Sequence, residues 1–332
     1  MNLIRKMMEK QTRLIYFDSA KGFAIYSVIL VHLNTFLARP PYDIVHYFVN
    51  SYFLSLFFLI SGYFAYKNDY QGINLRKKAV QLLIPYFTIC LLICFLGAVL
   101  YEKNLYDRYI GDDAKGGYWF LLVLYCYCAI LKGCLWVNAK LSKWIKCDCL
   151  FTLLLAIPFL IILFLSFSLP KELASLFSIY SCRRYYIFFF IGLLLKKNAF
   201  EYWLLSKSCF FLATIFYLTI FLIGYDDSTI LGFFFWSLNS LMGSIVMINM
   251  CKRFNFMNVF ASFGVNTLGI YILHYLFIYL LKWISMMAQI DFFNTILSSL
   301  FFFLFLSASI LYFTNKLVVA LRNSKYKFLI GI

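Results

Sequence analysis

The chain has 332 residues, of which 64% are apolar and only 13% charged. Ordinary soluble domains carry about 25% charged residues, so the composition excludes one and points to an all-α integral membrane protein. Thirty Lys and Arg against 14 Asp and Glu give a net charge of +16, but these cations are split among short connections, and no nucleic-acid partner is expected.

Taking about 17–25 apolar residues per crossing, ten transmembrane helices are predicted in chain order. They lie at roughly 16–37, 47–66, 79–101, 117–133, 149–167, 184–196, 208–224, 229–250, 263–283 and 292–320. The sixth is short and can extend back through Tyr180; the tenth is long enough to tilt. With the N-terminus inside, 21 of the 30 cations fall in inner segments, eight in outer ones, and Lys21 within the first span. Cytoplasmic loops are enriched in Lys and Arg, so both termini are expected in the cytoplasm, against anionic lipid headgroups. No cleavable signal is read, because the first apolar stretch runs too long and lacks a small-residue cleavage site. One transmembrane domain over 1–332 is expected, with short tails at about 1–15 and 321–332. The cysteines lie mostly in spans or on the inner side, so neither a disulfide framework nor a metal site is expected.

The first helix carries the densest chemistry. Residues 16–32 read Tyr-Phe-Asp-Ser-Ala-Lys-Gly-Phe-Ala-Ile-Tyr-Ser-Val-Ile-Leu-Val-His. At about 100° per residue, His32 lies three turns and about 20° from Lys21, and Asp18 about 60° to the side. Ionisable groups at membrane depth face a cavity, a partner or a pathway. Lys21 would hold an anionic group, Asp18 would orient it, and His32 would act as general base. The alternative is an i,i+3 ion pair at the interface and a His that donates to a carbonyl.

Further along, Ser61-Gly62 is either a nucleophile or a small pair that permits close helix packing. The hydrophilic loop at about 102–116 is too short to fold alone, but it can rim a site, with Tyr118 and Trp119 beside it to stack on sugar faces. Arg183 and Arg184 either bind an anionic glycan or diphosphate lipid, or snorkel to the interface. His274 is either a polar member of the cavity or a satisfied core histidine.

Five segments together resemble membrane acyltransferase family 3, most of all its fucose O-acetylase-like and surface-polysaccharide branch. The first is Asp18-Ser19-Ala20-Lys21-Gly22-Phe23-Ala24 with His32, in which a basic residue, ten intervening residues and a His mark the first span. Leu56-Phe57-Phe58-Leu59-Ile60-Ser61-Gly62-Tyr63, Arg76-Lys77-Lys78-Ala79-Val80-Gln81-Leu82-Leu83-Ile84-Pro85-Tyr86, Tyr118-Trp119-Phe120-Leu121 and Leu268-Gly269-Ile270-Tyr271-Ile272-Leu273-His274 follow in the family's order. The resemblance implies transfer of an acyl group, most often acetyl from cytoplasmic acetyl-CoA, to a saccharide hydroxyl. It implies His32 as the base, Lys21, Arg76, Lys77 and Lys78 on coenzyme A phosphates, and Tyr271 near the acceptor. Many members carry a Glu in the fourth span where this chain has Leu124. No extracytoplasmic esterase-like domain is appended, so delivery would need polysaccharide-assembly proteins or a lipid-linked acceptor.

The expected function is thus a multi-pass cell-membrane O-acyltransferase acting on an extracytoplasmic or lipid-linked saccharide, with acetyl-CoA as donor and no metal. The alternative is a transporter or export component for such a saccharide, without covalent transfer. Labelled acetyl-CoA reaching saccharide would separate the two.

Overall fold

A computed structural model describes residues 14–37, 43–67, 70–101, 115–145, 149–226, 229–287 and 300–331. Among them every element is helical. In hydrocarbon each backbone N–H and C=O needs a partner within its own segment, and these apolar runs meet that demand as helices. The main ones are α1 Ile15–Leu37, α2 Asp43–Asn50, α3 Phe53–Ala65, α4 Leu75–Pro85, α5 Leu91–Tyr101 and α6 Trp119–Leu141. They continue with α7 Leu150–Ser168, α8 Ile179–Lys197, α9 Lys207–Ile223, α10 Ile230–Arg253, α11 Thr267–Met287 and α12 Leu300–Arg322.

Seven stretches are long and apolar enough to cross a membrane, namely His46–Ala65, Tyr70–Val99, α6, α7, α10, α11 and α12. The chain is therefore a multi-pass membrane protein. The remaining predicted crossings coincide with α1, α8 and α9. Helix α1 holds Asp18 and Lys21, α8 holds Arg183, Arg184, Lys196 and Lys197, and α9 has 17 residues. Helix α8 does extend back through Tyr180. Helix α6 outruns its predicted end by several residues, and Lys140 in its last turn lays its ammonium over Trp136, 3.9 Å from the ring centroid. Most of the predicted outer loop, Arg39 and the cations Arg5, Lys6, Lys10 and Arg13 lie outside the described residues.

Local chemistry sets several ends. Asn74 caps α4 by accepting from the Lys77 N–H, and Ser206 and Thr229 cap α9 and α10 in the same way. Pro85 lacks the N–H that would reach the Gln81 carbonyl. The helix widens there into a π turn over Tyr86–Cys90 before α5 resumes.

Helix α1 is the axis of the bundle. It packs against α3, α10, α11, α12 and the segment 255–265, and most of its residues from Phe17 to Asn34 are buried. Its charged and imidazole groups are thereby set among protein. By contrast α7 presents Leu153, Ile157, Leu160, Ile161, Phe164 and Phe167 outward, as a lipid-facing helix does. One tight crossing joins α3 to α8, where a Cβ on Gly62 would lie 2.0 Å from the Phe189 carbonyl oxygen and one on Gly192 2.0 Å from that of Leu59. Small residues let helix backbones approach this closely, which accounts for Gly62 of the Ser61-Gly62 pair.

Candidate active site

At the N-terminal end of α1, Lys21 Nζ lies 2.7 Å from an Asp18 carboxylate oxygen. Asp18 is buried and sits in the helix's first turn, where the N–H ends of the peptide dipoles favour an anion. Lys21 keeps about a quarter of its side chain exposed and lines a chamber of about 510 Å³. Lys67 and Lys78, both exposed, lie at the same chamber with Asn74 and Gln81. Deeper in, Ser61, Leu54, Phe57, Leu124 and Phe120 form the wall. Leu124 gives this wall an apolar surface. Tyr271 also lines the chamber.

Beyond Tyr271 the chain's three histidines gather. Rings of His32 and His274 stack with centroids 5.3 Å apart, and His46 stands near enough to His32 to interact with it electrostatically. His274 is fully buried; its Nδ1 lies 2.7 Å from the Tyr271 carbonyl oxygen while its Nε2 has no hydrogen-bond partner. His32 is only half-buried. Tyr275 Oη lies 3.0 Å from each His32 ring nitrogen. His32 is absent from the chamber's lining. Tyr271 stands between the two, its ring centroid 5.9 Å from that of His274 and 5.3 Å from that of Phe120.

The structure thus brings together Asp18, Lys21, Ser61 and Lys78 around the chamber, and His32, Tyr271 and His274 at its roof. Arg76 and Lys77 are exposed on α4 and are not among the residues that line the chamber. Tyr118 is fully buried and donates to the Ile272 carbonyl at 2.6 Å, so its ring offers no open face to a sugar. Trp119 is nearly buried, stacked between Phe58 and Tyr185. Arg183 donates to Ser166 Oγ at 3.2 Å and covers Phe167; Arg184 covers Trp236 at 4.0 Å. The apolar packing of both guanidinium groups accounts for their place without a ligand.

Three residues escape sequence reasoning. Lys67 follows α3 and reaches the chamber only because the Tyr70–Gly72 turn folds beneath it. Tyr275 adjoins His274, so the motif ending there stopped one residue short. His46 was visible as one of only three histidines. Its ring nitrogens lie 2.7 Å from the Asn50 amide and 3.5 Å from that of Asn34. Among the described residues no cluster of three or more His, Cys, Asp or Glu can hold a metal ion.

A family model described as an acyltransferase domain matches residues 14–314. No curated protein and no solved structure matches the chain.

Proposed function

The chain belongs to the acyltransferase 3 family, and from that premise we propose that it moves an acetyl group from cytoplasmic acetyl-CoA to a hydroxyl of an extracytoplasmic or lipid-linked saccharide. The observation that carries this reading is a chamber with lysines and an apolar wall, lined also by Tyr271, whose ring lies 5.9 Å from that of His274, itself stacked on His32. In this reading the ten predicted spans all cross the cell membrane and both termini face the cytoplasm. The end bearing Lys21, Lys67 and Lys78 is then the inner one.

The chamber fits the donor chemically. Its volume, about 510 Å³, is in the usual range for a small-molecule site. Ammonium groups at the mouth can neutralise phosphates that would not enter hydrocarbon alone. Ser61, Asn74 and Gln81 can meet amides of the pantetheine arm, and the apolar wall keeps water from the activated acyl group. Asp18 holds Lys21 in place through their ion pair. Arg76 and Lys77 lie on the exposed rim, where they act on an approaching anion through long-range attraction.

Acetyl-CoA supplies an activated acyl carbon; the residues of this chain do the rest. His32 takes the proton of the acceptor hydroxyl as that oxygen bonds to the acyl carbon. The carbon–sulfur bond breaks, and His32 returns the proton to the departing thiolate. The acyl carbon passes Tyr271 to meet the acceptor at His32. Lipids surround the chain, and polysaccharide-assembly proteins or a lipid carrier present the saccharide.

The test is to incubate membranes containing the chain with labelled acetyl-CoA and follow label into saccharide. Saccharide movement without label would overturn the proposal and favour an export component. Lys21→Ala is expected to raise the KM for acetyl-CoA by about 10- to 100-fold, the worth of one charge-assisted hydrogen bond, with a smaller change in kcat. An unchanged donor KM would remove Lys21 from the binding role. Donor titrations also separate neighbours on α4: Lys78→Ala weakens donor binding by about tenfold, whereas Lys77→Ala changes it by less than about twofold.

A further inference from the structure

The contact nearest the His32 imidazole comes from a residue outside the motifs that mark this chain. Tyr275 is almost fully buried on α11, and its hydroxyl oxygen is 3.0 Å from both His32 Nδ1 and Nε2, with ring centroids 4.7 Å apart. An imidazole that works as a base needs a third group to fix its orientation and to meet the N–H it carries once protonated. A hydroxyl equidistant from the two nitrogens packs against the ring itself and limits its rotation.

The hydroxyl is itself held from behind. The turn Lys115–Tyr118 has a fully buried Lys115 at φ 46° and Gly117 at φ 97°. A Cβ built on Gly117 would lie 2.4 Å from Tyr275 Oη, so only glycine lets the turn come this near. Two further bonds fasten the turn to α11: Tyr271 Oη donates to the Gly117 carbonyl, and Tyr118 Oη donates to the Ile272 carbonyl. Rings of Tyr118 and Tyr275 pack 5.5 Å apart. The buried burden of Tyr118 and the left-handed Gly117 thus have one common outcome, a fixed tyrosine hydroxyl beside His32.

We propose that Tyr275, backed by the Lys115–Tyr118 turn, is a positioning residue for His32. This rests on His32 being the base of the acyl transfer described above. Tyr275 touches neither donor nor acceptor; it acts by holding the imidazole in one orientation.

The experiment uses the full chain in membranes with labelled acetyl-CoA, and the membranes' own saccharide fraction as acceptor. Tyr275→Phe keeps the ring packing and removes the hydroxyl. It is expected to lower kcat by about 10- to 100-fold, the scale of a misplaced catalytic group, with the KM for acetyl-CoA and the midpoint of thermal unfolding unchanged. Tyr279→Phe, one helical turn away, is the control and leaves kcat within about twofold. Gly117→Ala is expected to lower kcat as Tyr275→Phe does, and to add little further loss in the double variant, because both act on one contact. Normal kcat in Tyr275→Phe overturns the proposal while leaving His32 as base. A loss of kcat accompanied by an equal fall in thermal stability also overturns it, since Tyr275 would then be packing alone. Full transfer by His32→Ala would remove the base itself, and the positioning role with it.

Discussion

Membranes carrying His32→Ala are expected to transfer acetyl groups roughly 10²- to 10⁴-fold more slowly than those with the native chain, the usual contribution of a positioned general base. Donor affinity should survive, because the chamber that holds Lys21, Lys67 and Lys78 does not include His32 among its walls. The protein should also persist at normal levels. His32 is half-buried, and its neighbours Tyr275 and His274 are anchored within α11 by their own packing. The measurement is initial rate against acetyl-CoA concentration, with protein quantified in the same membranes. A variant with native kcat would remove the base, and one that bound acetyl-CoA poorly would place His32 in donor binding instead.

Gly192→Ala is expected to give a large loss of stability from a single methyl group. Its Cβ would lie 2.0 Å from the Leu59 carbonyl oxygen, and the Tyr63 amide nitrogen is at 2.9 Å. The obstacle is backbone, so no side chain can turn away; α3 and α8 must separate. Overpacking typically costs about 1–3 kcal/mol and occasionally more, and this site belongs at the upper end. Gly133→Ala, in α6, is the contrast: nothing lies within 4 Å of its Cβ, so alanine there should be neutral or stabilise by up to about 1 kcal/mol through helix propensity. Thermal unfolding of the two purified variants in one detergent checks the pair. Equal midpoints would mean that the α3–α8 crossing yields more easily than its geometry indicates.

Much of this architecture is legible in the chain because the bilayer imposes one secondary structure and one length scale. The Asp18–Lys21 pair was also legible, since residues three apart share a helix face. So was the stripe to His32, because α1 is a single unbroken helix. The face of α4 is legible at helical spacing: Asn74, Lys78, Gln81 and Leu82 recur three and four residues apart and line the chamber together, with Lys77 at the edge of that face and Arg76 on the opposite side. Tyr275 meeting His32 was beyond sequence reasoning, because the two are 243 residues apart and joined only by packing. Arg183 and Arg184 show the opposite limit. Two adjacent cations suggest an anion site, yet Phe167, Ser166 and Trp236 from other helices supply their surroundings.

The closed roof over the chamber bears on what the protein does between turnovers. With Tyr271 tethered through its hydroxyl to Gly117, its ring stands between Phe120 of the chamber wall and His274. In the reaction proposed above, that ring would shield a waiting thioester, so that few acyl groups would be lost to futile hydrolysis between turnovers.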